Sequence, residues 1–413
     1  MKLTSNSNFL TYIIVATLII FNIFLLYKIS GDDNNTTGDS YSEIEEIKGQ
    51  DLNFNELSNY FSDLAKKKGG AYAYKALTKA TAFSYLPDNI DTHLLGHVVG
   101  DVLYKQEGVL GMKYCTHDLR NACSHSIVVG SLLENGIGAV DEVVDSCHGA
   151  PGGKGAYRMC VHGLGHGVLA YVEYDMKTAV ELCKKVGDPK TETMEFGECV
   201  GGVTMEMMAG VHDQEVWQKQ KPNYLKEDDP LSPCNMDFIP TEGKSNCYTF
   251  LTPNLFEAAG ADLGRPGAKD FEIAFKYCDD VPEASNRLIC YGNFGKEFVV
   301  LVNDRNVQSV ENLDDDKLRT IYEWCNLAGD KDGTSACIDT ALQSLYWGGE
   351  NDRSAAVRFC AVLEDDYNRN GCHSSLIGAV SFYIEDSQYK KDFCSELPPE
   401  YRTECEDRLL RTN

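Results

Sequence analysis

Two stretches of this chain place imidazoles four residues apart: His93-Leu94-Leu95-Gly96-His97 and His162-Gly163-Leu164-Gly165-His166. Both read His-x-Leu-Gly-His. On a helix, residues i and i+4 share a face, so each stretch aims two imidazoles at a common point. Helical His-x3-His pairs hold transition metals in this way. A third copy is partial: Cys123-Ser124-His125-Ser126-Ile127 aligns with Cys160-Val161-His162-Gly163-Leu164, and Val129 stands where the second histidine would be. Of nine histidines in the chain, seven fall between residues 93 and 166. His93, His97, His125, His162 and His166 are therefore the expected metal ligands. Imidazole donors suit zinc, copper or iron and do not by themselves choose among them. Asp101, four residues beyond His97, and Glu173, seven beyond His166, continue the same helical faces. These are the candidate catalytic carboxylates, as ligand, imidazole-orienting partner or general base.

A packing role competes with the metal reading. A histidine among small residues on a packed helix also serves as a core group with satisfied ring nitrogens. Gly96, Gly163, Gly165 and Gly167 are suited to close helix approach. His117 and His148 follow loop cysteines and are expected in solvent, while His212 and His373 stand isolated and are expected to be structural. Met205, Met207 and Met208 offer soft donors for Cu(I), although a methionine-rich buried helix accounts for them equally well.

Other chemistry is poorly represented. Asp366-Tyr367-Asn368-Arg369-Asn370-Gly371 begins like a calcium loop, but Ile377 occupies the twelfth position where a bidentate glutamate is needed. A turn between helices is the simpler account. Gly149 to Gly155 is glycine-rich without phosphate-loop spacing, and there is no Cys-x2-Cys-His, His-Glu-x2-His or Gly-x-Ser-x-Gly. No nucleotide and no covalent haem are expected.

The elements that must position the histidines are marked by cysteines. None of the 16 precedes residue 115, and they then pair in order as Cys115/Cys123, Cys147/Cys160, Cys183/Cys199, Cys234/Cys247, Cys278/Cys290, Cys325/Cys337, Cys360/Cys372 and Cys394/Cys405. Separations within pairs run from 8 to 16 residues, too long for zinc-type Cys-x2–4-Cys. In the later units the first cysteine closes an apolar helical stretch, as in Ile321-Tyr322-Glu323-Trp324-Cys325. The second is expected to open another, as in Cys290-Tyr291-Gly292-Asn293-Phe294, Cys337-Ile338-Asp339-Thr340-Ala341-Leu342 and Cys372-His373-Ser374-Ser375-Leu376-Ile377. Turn formers lie between, such as Gly329 to Gly333 and Asn368 to Gly371. Each unit reads as helix, loop, helix, with a disulfide joining points that an antiparallel hairpin brings together. This layout resembles the disulfide-tied helical-hairpin arrays of Sel1-like repeats, a resemblance of arrangement that implies an α-solenoid and transfers no activity or residue.

Ahead of the ladder, Leu57, Tyr60, Phe61 and Leu64 predict one helix ending at Lys66-Lys67-Lys68-Gly69-Gly70; a second is expected over 71–85 and a third after Pro87. Strand signals are scarce. The fold class expected is all-α, with a helical part over 52–114 and Cys-paired repeats over 115–413.

Residues 9–27 are apolar except for Thr11, Thr17 and Asn22, long enough to cross a bilayer as a signal-anchor. The short segment 1–8 is then cytoplasmic. Residues 31–51 read as an acidic, unstructured tether. Asn34 and Asn35 head two overlapping Asn-x-Thr sequons, the only ones in the chain and the candidate glycosylation sites. Disulfides persist outside the reducing cytosol, which puts the body at the cell surface.

Charge narrows the partners. With 63 acidic against 38 basic residues, a net charge of −25, the chain is poorly suited to nucleic acid, which is held by displacing counterions with Lys and Arg. Two function classes remain: a membrane-anchored extracytoplasmic metalloprotein, or a non-enzymatic repeat scaffold offering a concave face to a protein, peptide or glycan. Where the imidazoles point separates them.

Overall fold

The computed structural model describes residues 41–87, 90–210, 212–261, 266–303, 310–347 and 351–410. The proposed anchor 9–27 and the sequons at Asn34 and Asn35 lie outside these. No described helix is long and apolar enough to cross a membrane. The chain divides after Lys48 into two compact units. In the first, the expected unstructured tether is corrected: Ser42–Ile47 is helical, with Ile44 and Ile47 buried at i and i+3. Apolar residues at that spacing outweigh the surrounding acidity.

The second unit is helical, and among the described residues no strand forms beyond one isolated bridge between Lys226 and Asp229. Helix Phe54–Lys68 opens on a capping box, Asn53 Oδ1 accepting from the Glu56 amide at 3.1 Å while Glu56 accepts from the Asn53 amide at 2.9 Å. It closes where expected, at Gly69 with φ 97°. Gly70–Ala82 and Thr92–Glu107 supply the second and third expected helices.

The cysteines join in sequence order, as expected. The first four bridges are Cys115–Cys123, Cys147–Cys160, Cys183–Cys199 and Cys234–Cys247. The other four are Cys278–Cys290, Cys325–Cys337, Cys360–Cys372 and Cys394–Cys405. Cα–Cα separations run from 5.3 to 5.7 Å, and no cysteine is free. First cysteines lie at or near helix ends, as in Val140–Cys147, Met176–Val186 and Asp315–Cys325.

The placement of the second cysteines is a correction. Cys247, Cys290, Cys337, Cys372 and Cys405 do not open their helices; each lies nearly two turns inside one. Those helices are Thr241–Thr249, Ala284–Val302, Lys331–Tyr346, Asp366–Tyr383 and Pro399–Leu409. The reason is that caps start the helices earlier than the turn formers suggested. Lys331–Tyr346 begins inside the Gly329–Gly333 run, capped by Asp330. Asp366–Tyr383 absorbs Asn368 to Gly371 entirely, with Asp365 accepting from the Tyr367 and Asn368 amides. Pro399, whose fixed φ suits a first helical position, begins the last helix well before Cys405. The calcium-loop reading fails for the same reason: its residues are helical. Two units lack a regular first helix. Cys115 follows a 3-10 helix, Gly108–Tyr114, and Cys234 lies in turns between residues 226 and 239.

The second helix of each hairpin forms an inner row. Thr92–Glu107, Ala122–Asn135, Gly153–Tyr171, Thr193–Ala209, Thr241–Thr249, Ala284–Val302, Lys331–Tyr346 and Asp366–Tyr383 each pack on the next. The row curls back on itself. The Arg120 guanidinium lies 4.7 Å from the Trp347 ring centroid, and a Cβ on Gly155 would touch Tyr383 at 3.6 Å. The start of the 122–135 helix thus meets the end of 331–346.

His373 is structural, as expected. It is fully buried, stacked on Tyr401 at 4.0 Å, with neither ring nitrogen hydrogen-bonded. Burial depresses its pKa to about 4, partly offset by Glu400. The unfolded chain therefore takes up the proton first as pH falls, and stability present above about 6.5 is lost toward pH 4. His373→Phe should flatten that acid-side loss by about 1–3 kcal/mol in denaturant melts at pH 7 and pH 4.5. Removing one bridge, as Cys325→Ser/Cys337→Ser, should lower stability by about 2–4 kcal/mol, read as a shift in the urea midpoint.

Candidate metal centre

The histidine helices pack closely enough to share one site because small residues line their contacts. A Cβ on Gly165 would lie 2.0 Å from the Cys199 carbonyl oxygen, and one on Gly202 would lie 2.0 Å from that of His162. Gly163 meets the His125 ring in the same manner, at 2.8 Å. Backbone therefore rests on backbone between Gly153–Tyr171 and Thr193–Ala209, as the glycine pattern suggested.

Six imidazoles form one belt. His93 and His97 face each other with Nε2 atoms 3.2 Å apart, and His162 and His166 repeat the arrangement at 3.2 Å. The His125 ring lies between the pairs, 6.2 Å from His97 and 5.6 Å from His166 by centroid. The sixth, His212, is a correction to the sequence reading, which left it isolated. It sits 6.1 Å from His166 and 6.5 Å from His97.

Fixed acceptors set the tautomers. Leu119 O accepts from His93 Nδ1 at 2.8 Å, and Met159 O accepts from His125 Nε2 at 3.2 Å. Glu206 Oε2 accepts from His166 Nδ1 at 3.0 Å and from His212 Nδ1 at 2.9 Å. A carbonyl or carboxylate can only accept, so each of these rings carries its proton there. When neutral, each keeps a lone pair on its other nitrogen. This is the outer-shell arrangement that readies imidazole for a metal. His97 is held through Nδ1 at 3.1 Å from Ser126 Oγ.

Backbone strain supports the His93 contact. Leu119, Arg120 and Asn121 take φ values of 56°, 53° and 62°, three consecutive non-glycine residues in the left-handed region. Such residues cost about 1–2 kcal/mol each. The Cys115–Cys123 bridge spans the turn, and the Tyr74 hydroxyl donates to Asp118 O at 3.2 Å.

Burial disfavours charge on four of the imidazoles. Burial, reinforced by the neighbouring imidazoles, holds His97 and His125 well below the usual histidine range. Burial, with His166 and Lys296 nearby, does the same to His162, and burial lowers His93 more modestly. Burial alone would raise Glu206, but hydrogen bonds from His166 and His212 outweigh it and hold the carboxyl far below its normal range. Tyr174 also donates to Glu206, at 2.5 Å. His93, His97, His125 and His162 are thus neutral at pH 7, in a belt that also holds one buried carboxylate.

Among the described residues, two groups bring three donor atoms within 4.8 Å of one another: His93, His97 and His125, and His166, Glu206 and His212. The five predicted histidines do converge, but His162 belongs to neither group. Its Nδ1 lies 3.9 Å from Glu198 Oε2 without a hydrogen bond, and its ring packs 5.1 Å from Phe250. Both predicted carboxylates miss these groups. Glu173 is exposed in a turn at φ 53°, because its helix ends at Tyr171 and no longer carries the face forward. Asp101 is exposed and lies outside both groups. Met205 is exposed while Met207 is fully buried, so the methionines diverge instead of gathering around an ion. His117 and His148 are exposed, as expected.

Glu206 was the residue missed. Its one signal was an acid set among Thr204-Met205-Glu206-Met207-Met208, in the apolar and glycine-rich second half of its helix. A buried acid in such a setting calls for a partner.

Fold and site together define a disulfide-stapled helical protein with a buried histidine–carboxylate belt. The chain matches no known family, no curated protein and no solved structure. The likeness to Sel1-like arrays therefore stays one of layout.

Gly202→Ala should drive the His162 backbone off its helix contact. The expected cost is about 1–3 kcal/mol of stability, whereas alanine at exposed mid-helix Gly371, where a Cβ meets nothing, should gain about 0.5–1 kcal/mol. Paired thermal melts measure both.

Proposed function

We propose that the protein is an extracytoplasmic metalloprotein holding transition-metal ions in the histidine belt. One ion is held by His93, His97 and His125, the other by His166, Glu206 and His212. The observation that carries this reading is the pair of three-donor groups, the first with the tautomers of His93 and His125 already fixed by Leu119 and Met159. Neutral imidazoles with one buried carboxylate suit zinc, copper(II) or iron better than calcium or magnesium, which prefer all-oxygen shells. In each His-x3-His pair the two Nε2 atoms face one gap, a place stable only with a proton or a cation between them. His162, next to both groups, completes a shell or orients the bound species.

Eight disulfides support an oxidising location. The apolar stretch 9–27 would tether the body to a membrane with its C-terminal part outside the cytosol.

The test is metal analysis of the purified full chain after dialysis against zinc, copper or iron. Wild type should retain about two ions per chain. His93→Ala/His97→Ala and His166→Ala/His212→Ala should each retain about one and keep the disulfide-dependent melting transition. Substoichiometric metal in wild type, or content unchanged in both double variants, would refute the centre.

A further inference from the structure

The two three-donor groups touch each other at two points. The His125 ring of the first stacks on the His166 ring of the second at 5.6 Å, with 27° between their planes. At the second point, the His97 and His212 rings lie 6.5 Å apart. His97, His125 and His166 sit on Thr92–Glu107, Ala122–Asn135 and Gly153–Tyr171, and His212 follows the end of Thr193–Ala209. Four consecutive helices of the inner row therefore meet here. An imidazole nitrogen lies about 2.0–2.1 Å from a metal it binds, so ions held by neighbouring rings adjoin each other.

In the first group the lone pairs converge with no proton between them. Leu119 O holds the His93 proton on Nδ1. Ser126 Oγ donates to the His97 carbonyl at 3.0 Å, so its oxygen accepts from His97 Nδ1 at 3.1 Å. Both Nε2 atoms, 3.2 Å apart, thus present lone pairs to each other. His125 adds Nδ1, because its Nε2 proton goes to Met159 O.

Coordination and charge then set what lies between the ions. Three protein donors leave at least one position open on a four-coordinate ion. Two divalent ions bring four positive charges, against one carboxylate, Glu206, in the two groups together. Both Glu206 oxygens are engaged on their own side: Oε2 by His166 and His212, Oε1 by Tyr174 and the His212 amide. Glu206 therefore does not reach across to the first group. Glu198, beside His162, is tied to Arg158 at 3.0 Å. His125, His166 and Glu206 are buried, and excess charge in such surroundings is costly unless an anion offsets it.

We propose that the two groups form one dinuclear centre, bridged by an exchangeable oxygen anion from solution: hydroxide at rest, replaced by a small oxyanion such as phosphate. Occupancy of each group rests on the reading above, whereas the pairing of the ions rests on the ring contacts and the unbalanced charge. In two-metal sites, with ions about 3.5–4 Å apart, such a bridge holds one ligand on both ions at once.

The experiment is electron paramagnetic resonance of the full chain loaded with copper(II), a probe suited to a protein with no free cysteine. Copper content is measured on the same samples. At saturation the integrated spin should fall below the copper content, or the half-field line of a coupled pair should appear. His93→Ala/His97→Ala and His166→Ala/His212→Ala, each left with a single ion, should return the full spin of isolated copper. Inorganic phosphate should alter the wild-type coupling saturably, at about one phosphate per pair. Two bound ions with the full spin of isolated copper overturn the pairing and leave the metal sites standing. Coupling that phosphate does not alter overturns the exchangeable bridge. Fewer than two ions in wild type removes the metal reading and the pairing with it. The wild-type spectrum decides the pairing by itself, so a folding defect in either double variant does not obscure the result.

Discussion

Six imidazoles packed against one another, three of them buried and three half-buried, cannot all carry charge, and the local structure follows from that constraint. Burial holds His97, His125 and His162 deprotonated. A neutral imidazole has one donor and one acceptor nitrogen, so each ring needs a partner of fixed polarity to settle its tautomer. The chain supplies backbone carbonyls for His93 and His125 and one carboxylate for His166 and His212. Glu206 is tolerated as a buried anion because three neighbours hydrogen-bond to it. Its ionisation is tied to the same belt it organises.

The staples and the belt divide the labour. Disulfides join the paired elements of each hairpin, which are close in sequence, and set local geometry only. The belt is made by the inner helices, whose contacts tighten to backbone contact at Gly165 and Gly202. The two systems meet at residues 115–123. There the shortest disulfide loop encloses the strained run Leu119-Arg120-Asn121, which sends one carbonyl to His93 and one guanidinium into the curl of the row. Strain of this kind persists only where the surroundings overdetermine it.

The two His-x-Leu-Gly-His stretches, His125 and the eight disulfide pairs were legible in the sequence because each depends on neighbours a few residues away: helical periodicity for the histidines, hairpin return for the cysteines. The turn formers were misread for a local reason as well. Asp330 and Asp365 cap the helices that follow, and such caps start a helix inside a run that otherwise resembles a loop. Cys337 and Cys372 therefore ended up within helices they were expected to begin, although their partners were identified correctly. Glu173 was assigned to the site by extending a helix that stops at Tyr171.

What the sequence determined by itself is the set of short-range pairings: which cysteines join, which helices form, and which five histidines share faces. Tertiary structure alone decided that His212 and Glu206 complete the belt, that Arg120 reaches Trp347 and that Lys296 approaches His162. The physical reason is range. Hydrogen bonding and periodicity along a helix act over three or four residues, whereas the curl of a helical row accumulates over many hairpins, and no short stretch of sequence records where it brings the chain back.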